Sequence, residues 1–310
     1  MTLITESGSV ISESPPLFIG NFRSGTTLLV NLLGLHESLA AWFETKALCE
    51  PLRWLRVLQH PEDARREAGL IRLPGPAGFS VEAVAERMLL DFRDTSARIR
   101  GAAPSGKGGN ESYPIGHDHA LYSLDFAEQA VADWVDEIDQ SADPVHIARV
   151  TGSLIQRLGK QHAELAGKQF WVNKTPEITR FGAELRACLG GIALLVMVRD
   201  GRDVVRSATR LGWAEPEEIG VWWKGMIEQS RAGGAGLGNA YMELRYEDLL
   251  ADPAAHLDHV LSLMGLSASG AELVRRYQSG FSMDRALIAD KGSPIPDYLD
   301  AELMRSFGYC

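Results

Sequence analysis

The stretch "LFIGNFRSGTTLLVNLLG", residues 17–34, joins an apolar run to a leucine-rich segment through a glycine-containing turn. Its residues 20–27 fit G-x-x-x-x-G-x-[ST], the pattern of loops that hold nucleotide phosphates between a strand and a helix. Threonine occupies position 26, where nucleoside triphosphatases have the lysine that reaches the β- and γ-phosphates. Backbone N–H groups and the helix N-terminus still favour an anion. We therefore predict a phosphate-binding loop whose cation is Arg23; an ordinary turn with Gly and Thr as turn and cap residues is the alternative.

Four short apolar runs predict buried strands, and a weaker fifth run lies at 39–43. The four runs are 17–19, 170–172, 192–198 and 241–244. Most are followed by a polar turn and a helix, and two helix starts are marked by Pro216 and Pro253. This alternation is typical of a parallel sheet covered on both faces. We predict an α/β fold with a phosphate-loop-like (P-loop-like) parallel sheet flanked by helices.

Between residues 51 and 168 the strand signal gives way to helical periodicity. Apolar residues recur at spacings of three, four or seven, as in Val84, Met88 and Phe92, and again from Leu124 to Ile138 and from Ile147 to Leu158. We interpret 51–168 as a helical insertion within a single domain that spans 1–310. The Gly-, Pro- and Ser-rich residues 101–119 fit either a substrate lid or a disordered loop.

A second segment, "LLVMVRDGRDVVRSATR" at 194–210, ends a predicted strand at Arg199 and begins a helix that contains Ser207. A residue at the carboxyl end of such a strand lies in the crevice where open α/β sheets bind ligands. A guanidinium and a hydroxyl together suit a second phosphate group. The alternative is that Arg199 pairs with Asp203 or another carboxylate at the helix start.

Composition excludes several partners. The net charge of −10 argues against general binding to nucleic acid or to an anionic membrane, because those polyanions need a basic surface. Cys49, Cys188 and Cys310 form no CxxC pair, which favours a reducing compartment and suggests no metal site. Residues 1–16 lack the basic start and apolar stretch of a signal peptide, and no apolar run reaches the roughly 18 residues of a membrane span. We expect a soluble cytoplasmic protein of undetermined oligomeric state.

The segment "RSGTTLL" after the "FIG" strand, together with "VRDGRDVVRS", resembles the sulfotransferases that use 3′-phosphoadenosine 5′-phosphosulfate (PAPS). The likeness is greatest to the RSGTT branch, which includes tyrosylprotein sulfotransferases. The resemblance implies that Arg199 and Ser207 bind the 3′-phosphate of the donor. It also implies that the first loop binds the 5′-phosphosulfate through Arg23, Ser24, Gly25, Thr26 and Thr27. A donor without a triphosphate would explain the missing lysine.

Three further segments resemble the same family. "WVNKTPEIT" matches its NKxP motif and implies that Lys174 reaches the donor, while "LRYEDLLADP" implies that Tyr246 approaches the nucleotide. "ADKGSP" resembles a late loop that closes over the nucleotide, here with Lys291 and Gly292. The resemblance covers roughly residues 16–50 and 169–295 and does not extend to the helical insertion, which we expect to form the acceptor site and lid.

Sulfonyl transfer to a hydroxyl needs a base for the acceptor's proton and cations for the developing negative charge. The cations are predicted to be Arg23 and Lys174. Glu44, in "AWFETK", ends the weak strand and matches a glutamate followed by threonine in the tyrosylprotein branch, so it is the predicted base. Its alternative role is a surface carboxylate paired with Lys46. The rival bases are Glu50, His36, His117 and His119.

The sequence gives less support to several other candidate sites and functions. His36 could simply interact with helix C-terminal carbonyls, the "HDH" at 117–119 is too sparse for a metal site, and the paired Trp222 and Trp223 are expected to pack into the core rather than on adenine. A small-molecule or nucleotide kinase with a degenerate loop would need Mg²⁺ and a grip on β- and γ-phosphates. A nucleotide-binding protein without chemistry is also conceivable. The predicted partner is a small-molecule hydroxyl acceptor whose identity the sequence leaves open.

Overall fold

The computed structural model of the protein describes residues 14–70, 79–101, 123–138, 143–280, 283 and 293–309. Several predicted features lie outside the described residues: Lys291, Gly292, His117, His119, Cys310 and nearly all of the loop at 101–119.

Within the described ranges, five parallel strands form one sheet in the order β2-β3-β1-β4-β5. The strands are β1 Leu17–Gly20, β2 Leu39–Phe43, β3 Phe170–Lys174, β4 Ala193–Val198 and β5 Tyr241–Arg245. Every residue of the central β1 and β4 is buried, since helices cover both faces and leave no position for alternating polar side chains. The predicted fold class is confirmed, and so is the weak strand at 39–43.

Helices connect the strands and cover the sheet. The α-helices of the described residues are α1 Thr26–Gly34, α2 Cys49–Gln59, α3 Ala64–Leu70, α4 Val81–Gly101, α5 Leu124–Glu137, α6 Pro144–Leu165, α7 Gly182–Leu189, α8 Gly201–Thr209, α9 Pro216–Gly234, α10 Tyr246–Ala251, α11 Pro253–Leu263, α12 Gly270–Gln278 and α13 Ala301–Ser306. The predicted starts at Pro216 and Pro253 are confirmed, and Asp252 caps α11 by accepting a hydrogen bond from Ala255 N at 3.2 Å. None of the described helices is both long and apolar enough to span a membrane.

The described residues between β2 and β3 are helical, from α2 to α6. The periodic residues Val84, Met88 and Phe92 of α4 are buried and belong to the same apolar core as β1. Helix α6 lies against the sheet, where a Cβ on Gly159 would overlap the Trp171 ring of β3. This close approach requires glycine. The helices therefore share one continuous core with the sheet.

A buried cluster of charged side chains joins α2 to the segment after β3. Arg56 of α2 donates to Glu184 of α7 at 2.7 Å, and Arg53 donates to Glu67 of α3 at 2.7 Å. Arg180 also pairs with Glu67. Each buried charge thus has an opposite charge in contact, which offsets the cost of taking it out of water. The cluster fixes the position of the helices relative to the chain that follows Lys174.

Candidate active site

The predicted site residues follow the strands at one edge of the sheet. Because all five strands are parallel, their carboxyl ends lie at the same edge, where ligands bind in open α/β sheets. The register aligns Ile19 of β1 and Phe43 of β2 with Lys174 of β3, and it aligns Val198 of β4 with Arg245 of β5. Side chains that follow these residues can therefore meet although they are distant in sequence.

The loop at 20–27 has an unusual backbone. Asn21, Arg23 and Gly25 have φ angles of 86°, 52° and 87°, in the left-handed region that residues with a Cβ seldom adopt. Residues of positive φ at alternate positions can turn successive N–H groups toward a common centre, which suits an anion. Asn21 is fully buried and stabilises the loop, because its N donates to Pro176 O and its Nδ2 donates to Met197 O, both at 2.8 Å.

Gly25 provides the space that this loop needs. It immediately precedes α1, and a Cβ at this position would overlap the ring of Tyr246, the first residue of α10. Ser24 Oγ donates to Phe22 O at 3.1 Å within the turn. Because Gly25 has no side chain that could cover the first N–H groups of α1, those groups can donate hydrogen bonds to an anionic ligand. A role for this backbone in binding the 5′-phosphosulfate stays a prediction.

Arg23 and Ser207, which lie 184 residues apart, are in direct contact. Arg23 Nε donates to Ser207 Oγ at 2.9 Å, and the guanidinium carbon lies 5.7 Å from the centre of the Trp213 ring. Burial lowers the pKa of Arg23, the charge of Arg199 lowers it further, and Glu44 opposes both effects. The residues predicted for the two phosphate groups of the donor therefore belong to one electrostatic site.

Arg199 lies between a carboxylate and an aromatic ring. Its Nη2 is 3.2 Å from Asp203 Oδ2, so the ion pair considered as the alternative for this arginine is present. Its guanidinium carbon is also 4.7 Å from the centre of the Tyr246 ring, an arrangement that favours cation–π attraction. The turns after β4 and β5 are thereby joined beside Gly25. A role for Arg199 in phosphate binding stays a prediction.

Glu44 and Lys174 form an ion pair at the ends of adjacent strands. Lys174 Nζ donates to Glu44 Oε1, and the expected alternative partner of Glu44, Lys46, is not the one that it contacts here. The Lys174 side chain is only 1% exposed, whereas that of Glu44 is 38% exposed. Burial lowers the pKa of Lys174, Glu44 raises it, and Arg23 lowers it. The predicted base is therefore accessible from solvent, with a buried cation directly beneath it.

A model of the sulfotransferase family matches residues 15–270. The chain belongs to the sulfotransferase family. The sulfotransferase domain of the Synechococcus PCC 7002 olefin synthase is 17% identical, with 96% of this chain and 97% of that chain covered and a TM-score of 0.50. Sulfotransferase STF1 from Mycobacterium tuberculosis H37Rv is 20% identical, with coverages of 88% and 72% and a TM-score of 0.44. STF9 from Mycobacterium avium is 15% identical, with coverages of 88% and 69% and a TM-score of 0.46. No curated protein matches the chain significantly.

Two of the rival bases, His36 and Glu50, have partners other than Lys174. His36 precedes β2, whereas Glu44 follows it, and the five residues of this strand span about 16 Å. His36 Nδ1 accepts a hydrogen bond from Ser38 N at 3.1 Å, and burial lowers the pKa of His36. Glu50 accepts from Arg87 at 2.5 Å. Neither side chain shares the contacts of Lys174.

The prediction for the paired tryptophans is wrong for one of them. Trp223 is fully buried in the core under β4 and donates to Arg199 O at 3.3 Å. Trp222 is 44% exposed. Successive residues on a helix point about 100° apart, so α9 cannot place both rings in the same core.

Sequence reasoning missed a hydrogen-bond network beside the Glu44–Lys174 pair. Thr175 Oγ1 donates to Thr45 O at 2.9 Å and accepts from Thr45 N at 3.3 Å. Thr45 Oγ1 in turn donates to Asp91 of α4 at 2.7 Å. A threonine directly follows both Glu44 and Lys174 at the two strand ends, and this pattern could have indicated the threonine pair. Asp91 lies in an amphipathic helix and belongs to no motif. Among the described residues, no group of three or more His, Cys, Asp and Glu side chains could hold a metal ion.

Proposed function

We propose that this protein transfers the sulfonate of PAPS to a hydroxyl group of a small-molecule acceptor by in-line displacement. The observation that carries the proposal is the Glu44–Lys174 pair, which lies at the carboxyl ends of β2 and β3. The charge of Glu44 acts on both Arg23 and Lys174, so a carboxylate and two cations share one site. This is the set of groups that sulfonyl transfer to an alcohol requires.

The donor fits the residues around the loop at 20–27. The turned backbone and the first N–H groups of α1 would hold the 5′-phosphosulfate, with Ser24, Thr26 and Thr27 as additional donors. Arg199 and Ser207 would hold the 3′-phosphate, since a guanidinium and a hydroxyl can donate to its oxygens. Tyr246, packed against Gly25, would contact the nucleotide. Arg199 would then exchange its contact with Asp203 for the phosphate in whole or in part.

The reacting groups have separate tasks. Glu44 accepts the proton of the acceptor hydroxyl while the acceptor oxygen forms a bond to sulfur. The bond between sulfur and the bridging phosphate oxygen breaks, and 3′,5′-bisphosphoadenosine leaves with the bonding electrons. Lys174 and Arg23 stabilise the charge that develops on the departing oxygen and on the sulfonate. No metal ion is needed for these steps, because the chain's own cations serve that purpose.

The acceptor would approach from the exposed side of Glu44. Lys174 is buried beneath this carboxylate. The donor, which contacts Lys174, and the acceptor, which contacts Glu44, would therefore approach the ion pair from different directions. The helical insertion at 51–168 begins just beyond Glu44 and would supply the acceptor site. A phenol, a sugar, a lipid alcohol or a specialised metabolite presents the same O–H group to the base, and the fold alone does not distinguish them.

Thermal unfolding with nucleotide ligands tests the donor assignment. Because a ligand that binds the folded state raises the melting temperature, 3′,5′-bisphosphoadenosine should raise it far more than AMP or ATP does at equal concentration. Transfer of labelled sulfonate from PAPS to a panel of hydroxyl acceptors then tests the reaction. Equal shifts from AMP and bisphosphoadenosine would contradict the proposal, and an ATP shift that requires Mg²⁺ would favour a kinase.

A further inference from the structure

Asp91 connects helix α4 to the chain segment that carries Glu44. Its Oδ2 atom accepts two hydrogen bonds, one from Thr45 Oγ1 at 2.7 Å and one from Ala47 N at 2.9 Å. Thr45 directly follows Glu44, and Ala47 lies in the short 3-10 helix at Lys46–Leu48. One carboxylate oxygen thus holds the two residues that determine how the chain leaves β2.

The same segment is held from the opposite side by β3. Thr175 follows Lys174, and its hydroxyl bonds to both the N–H and the carbonyl of Thr45. Thr45 and Thr175 are fully buried. Buried hydrogen bonds are costly to leave unmade, because neither partner can turn to water instead. The backbone of Thr45 is therefore fixed between Asp91 and Thr175, one residue beyond the proposed base.

Helix α4 contacts the region at a second point that does not include Glu44. Arg87, one helical turn before Asp91, donates to Glu50 at 2.5 Å. Glu50 belongs to α2, six residues after Glu44. The Arg87 contact can anchor the helix, but it does not touch the backbone next to the base. The two contacts can therefore be separated experimentally.

We propose that Asp91 is a positioning residue, which sets the orientation of Glu44 through Thr45 and Ala47 and so links the helical insertion to the proton transfer. The inference rests on the proposed function, in which Glu44 is the base. A displacement of about 1 Å in a reacting group can lower a rate by about 10²-fold, so a hydrogen bond one residue away is sufficient to matter.

The geometry offers a matched pair of variants. Because a single oxygen of Asp91 accepts both hydrogen bonds, the amide oxygen of Asp91→Asn can accept both as well. Asp91→Leu keeps the branched outline of the side chain, although its methyl groups are larger than the carboxylate oxygens, and it removes the acceptor. We expect Asp91→Leu to lower kcat for an alkyl alcohol by about 10- to 100-fold, with the donor KM changed less than about twofold. Asp91→Asn should stay within about threefold of the wild type, and so should Asp94→Leu at an exposed position of α4.

A double-mutant cycle separates positioning from general damage. If Asp91 acts through Glu44, Asp91→Leu should cause almost no further loss in a Glu44→Gln background. Its loss should also be smaller for an acidic phenol than for an alkyl alcohol, since the ionised phenol does not need the base. Losses that add in the double variant, or that are equal for both acceptors, would overturn the proposal. A bisphosphoadenosine melting shift that persists in each variant shows that the donor site is folded.

Hydrogen exchange gives a readout that does not depend on activity. The Ala47 amide should exchange faster in Asp91→Leu and at the wild-type rate in Asp91→Asn, because only the leucine removes its acceptor. Unchanged exchange in Asp91→Leu would refute the anchoring role whatever the enzyme catalyses. Near-normal turnover of Glu44→Gln would instead refute the base assignment in the proposed function. A large loss in Glu44→Gln without a loss in Asp91→Leu would refute the positioning role alone.

Discussion

The two pairs of predicted site residues meet in different ways. Arg23 and Ser207 are in contact between two neighbouring strand-turn-helix units. Glu44 and Lys174 are in contact between the ends of two strands, and these two residues belong to no common motif. We call the first region the donor side, formed by the turns after β1, β4 and β5, and the second the reacting side, formed by the ends of β2 and β3. On the donor side, each turn holds its functional residues within one short segment. On the reacting side, two residues 130 positions apart meet through strand register.

The two sides also differ in how their charges are balanced. On the donor side, Arg199 is partnered by Asp203 and by the Tyr246 ring, and Arg23 by a neutral hydroxyl, so ligand phosphates would bring the missing negative charge. On the reacting side, the buried Lys174 already contacts the carboxylate of Glu44. We therefore expect Arg199 on the donor side to act mainly on binding, and Glu44 and Lys174 on the reacting side to act mainly on the rate.

The largest effect is expected for Glu44→Gln. An amide cannot accept the acceptor's proton, so kcat for an alkyl alcohol should fall by about 10²- to 10⁴-fold while the bisphosphoadenosine melting shift persists. The loss should be smaller for an acidic phenol. Glu37→Gln, at an exposed position before β2, is the control and should leave turnover unchanged. Normal turnover in Glu44→Gln would show that Glu44 is not the base.

The second-largest loss of rate is expected for Lys174→Met. Removal of a preorganised cation lowers rates by about 10²- to 10³-fold, and single-turnover measurements would show the loss in the transfer step. Lys168→Met is a suitable control, because Lys168 is partly buried and donates to His36 O at the opposite edge of the sheet, away from the fully buried Lys174. If Lys174→Met transfers sulfonate at the wild-type rate, this lysine has a structural role and the likeness to the NKxP motif is misleading.

The third effect, on the donor side, is expected for Arg199→Met. Hydrogen bonds to charged groups contribute about 1.5 to 3 kcal/mol, so the dissociation constant of bisphosphoadenosine should rise by about 10- to 100-fold, while kcat at saturating donor changes little. Calorimetric titration measures this change. Arg206→Met is matched to it, because Arg206 contacts the same Asp203 but is 47% exposed. A loss confined to kcat would contradict the division into two sides.

The smallest effect concerns pH. A lysine loses its charge as the pH rises through its pKa, and burial lowers the pKa of Lys174 below the ordinary value of 10.5. Donor affinity should therefore decline at alkaline pH earlier than an ordinary lysine would allow. Glu44 raises this pKa, so Glu44→Gln should move the decline to still lower pH. Titrations with bisphosphoadenosine from neutral to alkaline pH measure the shift, and Lys174→Arg should abolish it. A shift to higher pH would contradict the pairing.

Several features could be predicted from the sequence because local chemistry determines them. Continuous apolar runs indicated the buried strands, and the Pro216 and Pro253 starts marked their helices. The donor side consists of contiguous segments, so the family resemblance implied that Arg23 and Ser207 bind the same donor before their contact was known. Family membership supports sulfotransfer activity.

Other features depended on the order of the strands. The sheet order β2-β3-β1-β4-β5 is not the chain order, and the adjacency of β2 and β3 in it places Glu44 beside Lys174. The error at Trp222 has a similar origin, since a helix face is buried or exposed according to its neighbours. Asp91 had no signal at all, because its neighbours Thr45 and Ala47 come from a distant turn.

Local sequence patterns are therefore enough to predict the strand-turn-helix units, the glycine-rich loop with Arg23 and the positions of the candidate cations. Short-range steric and hydrogen-bonding preferences are sufficient for these features. The tertiary structure decided which strand ends are adjacent, which carboxylate the buried Lys174 contacts, and that Asp91 of α4 reaches the chain next to Glu44. These contacts join residues that are far apart in the chain, and they form only when the common core brings the parallel strands and helices into register.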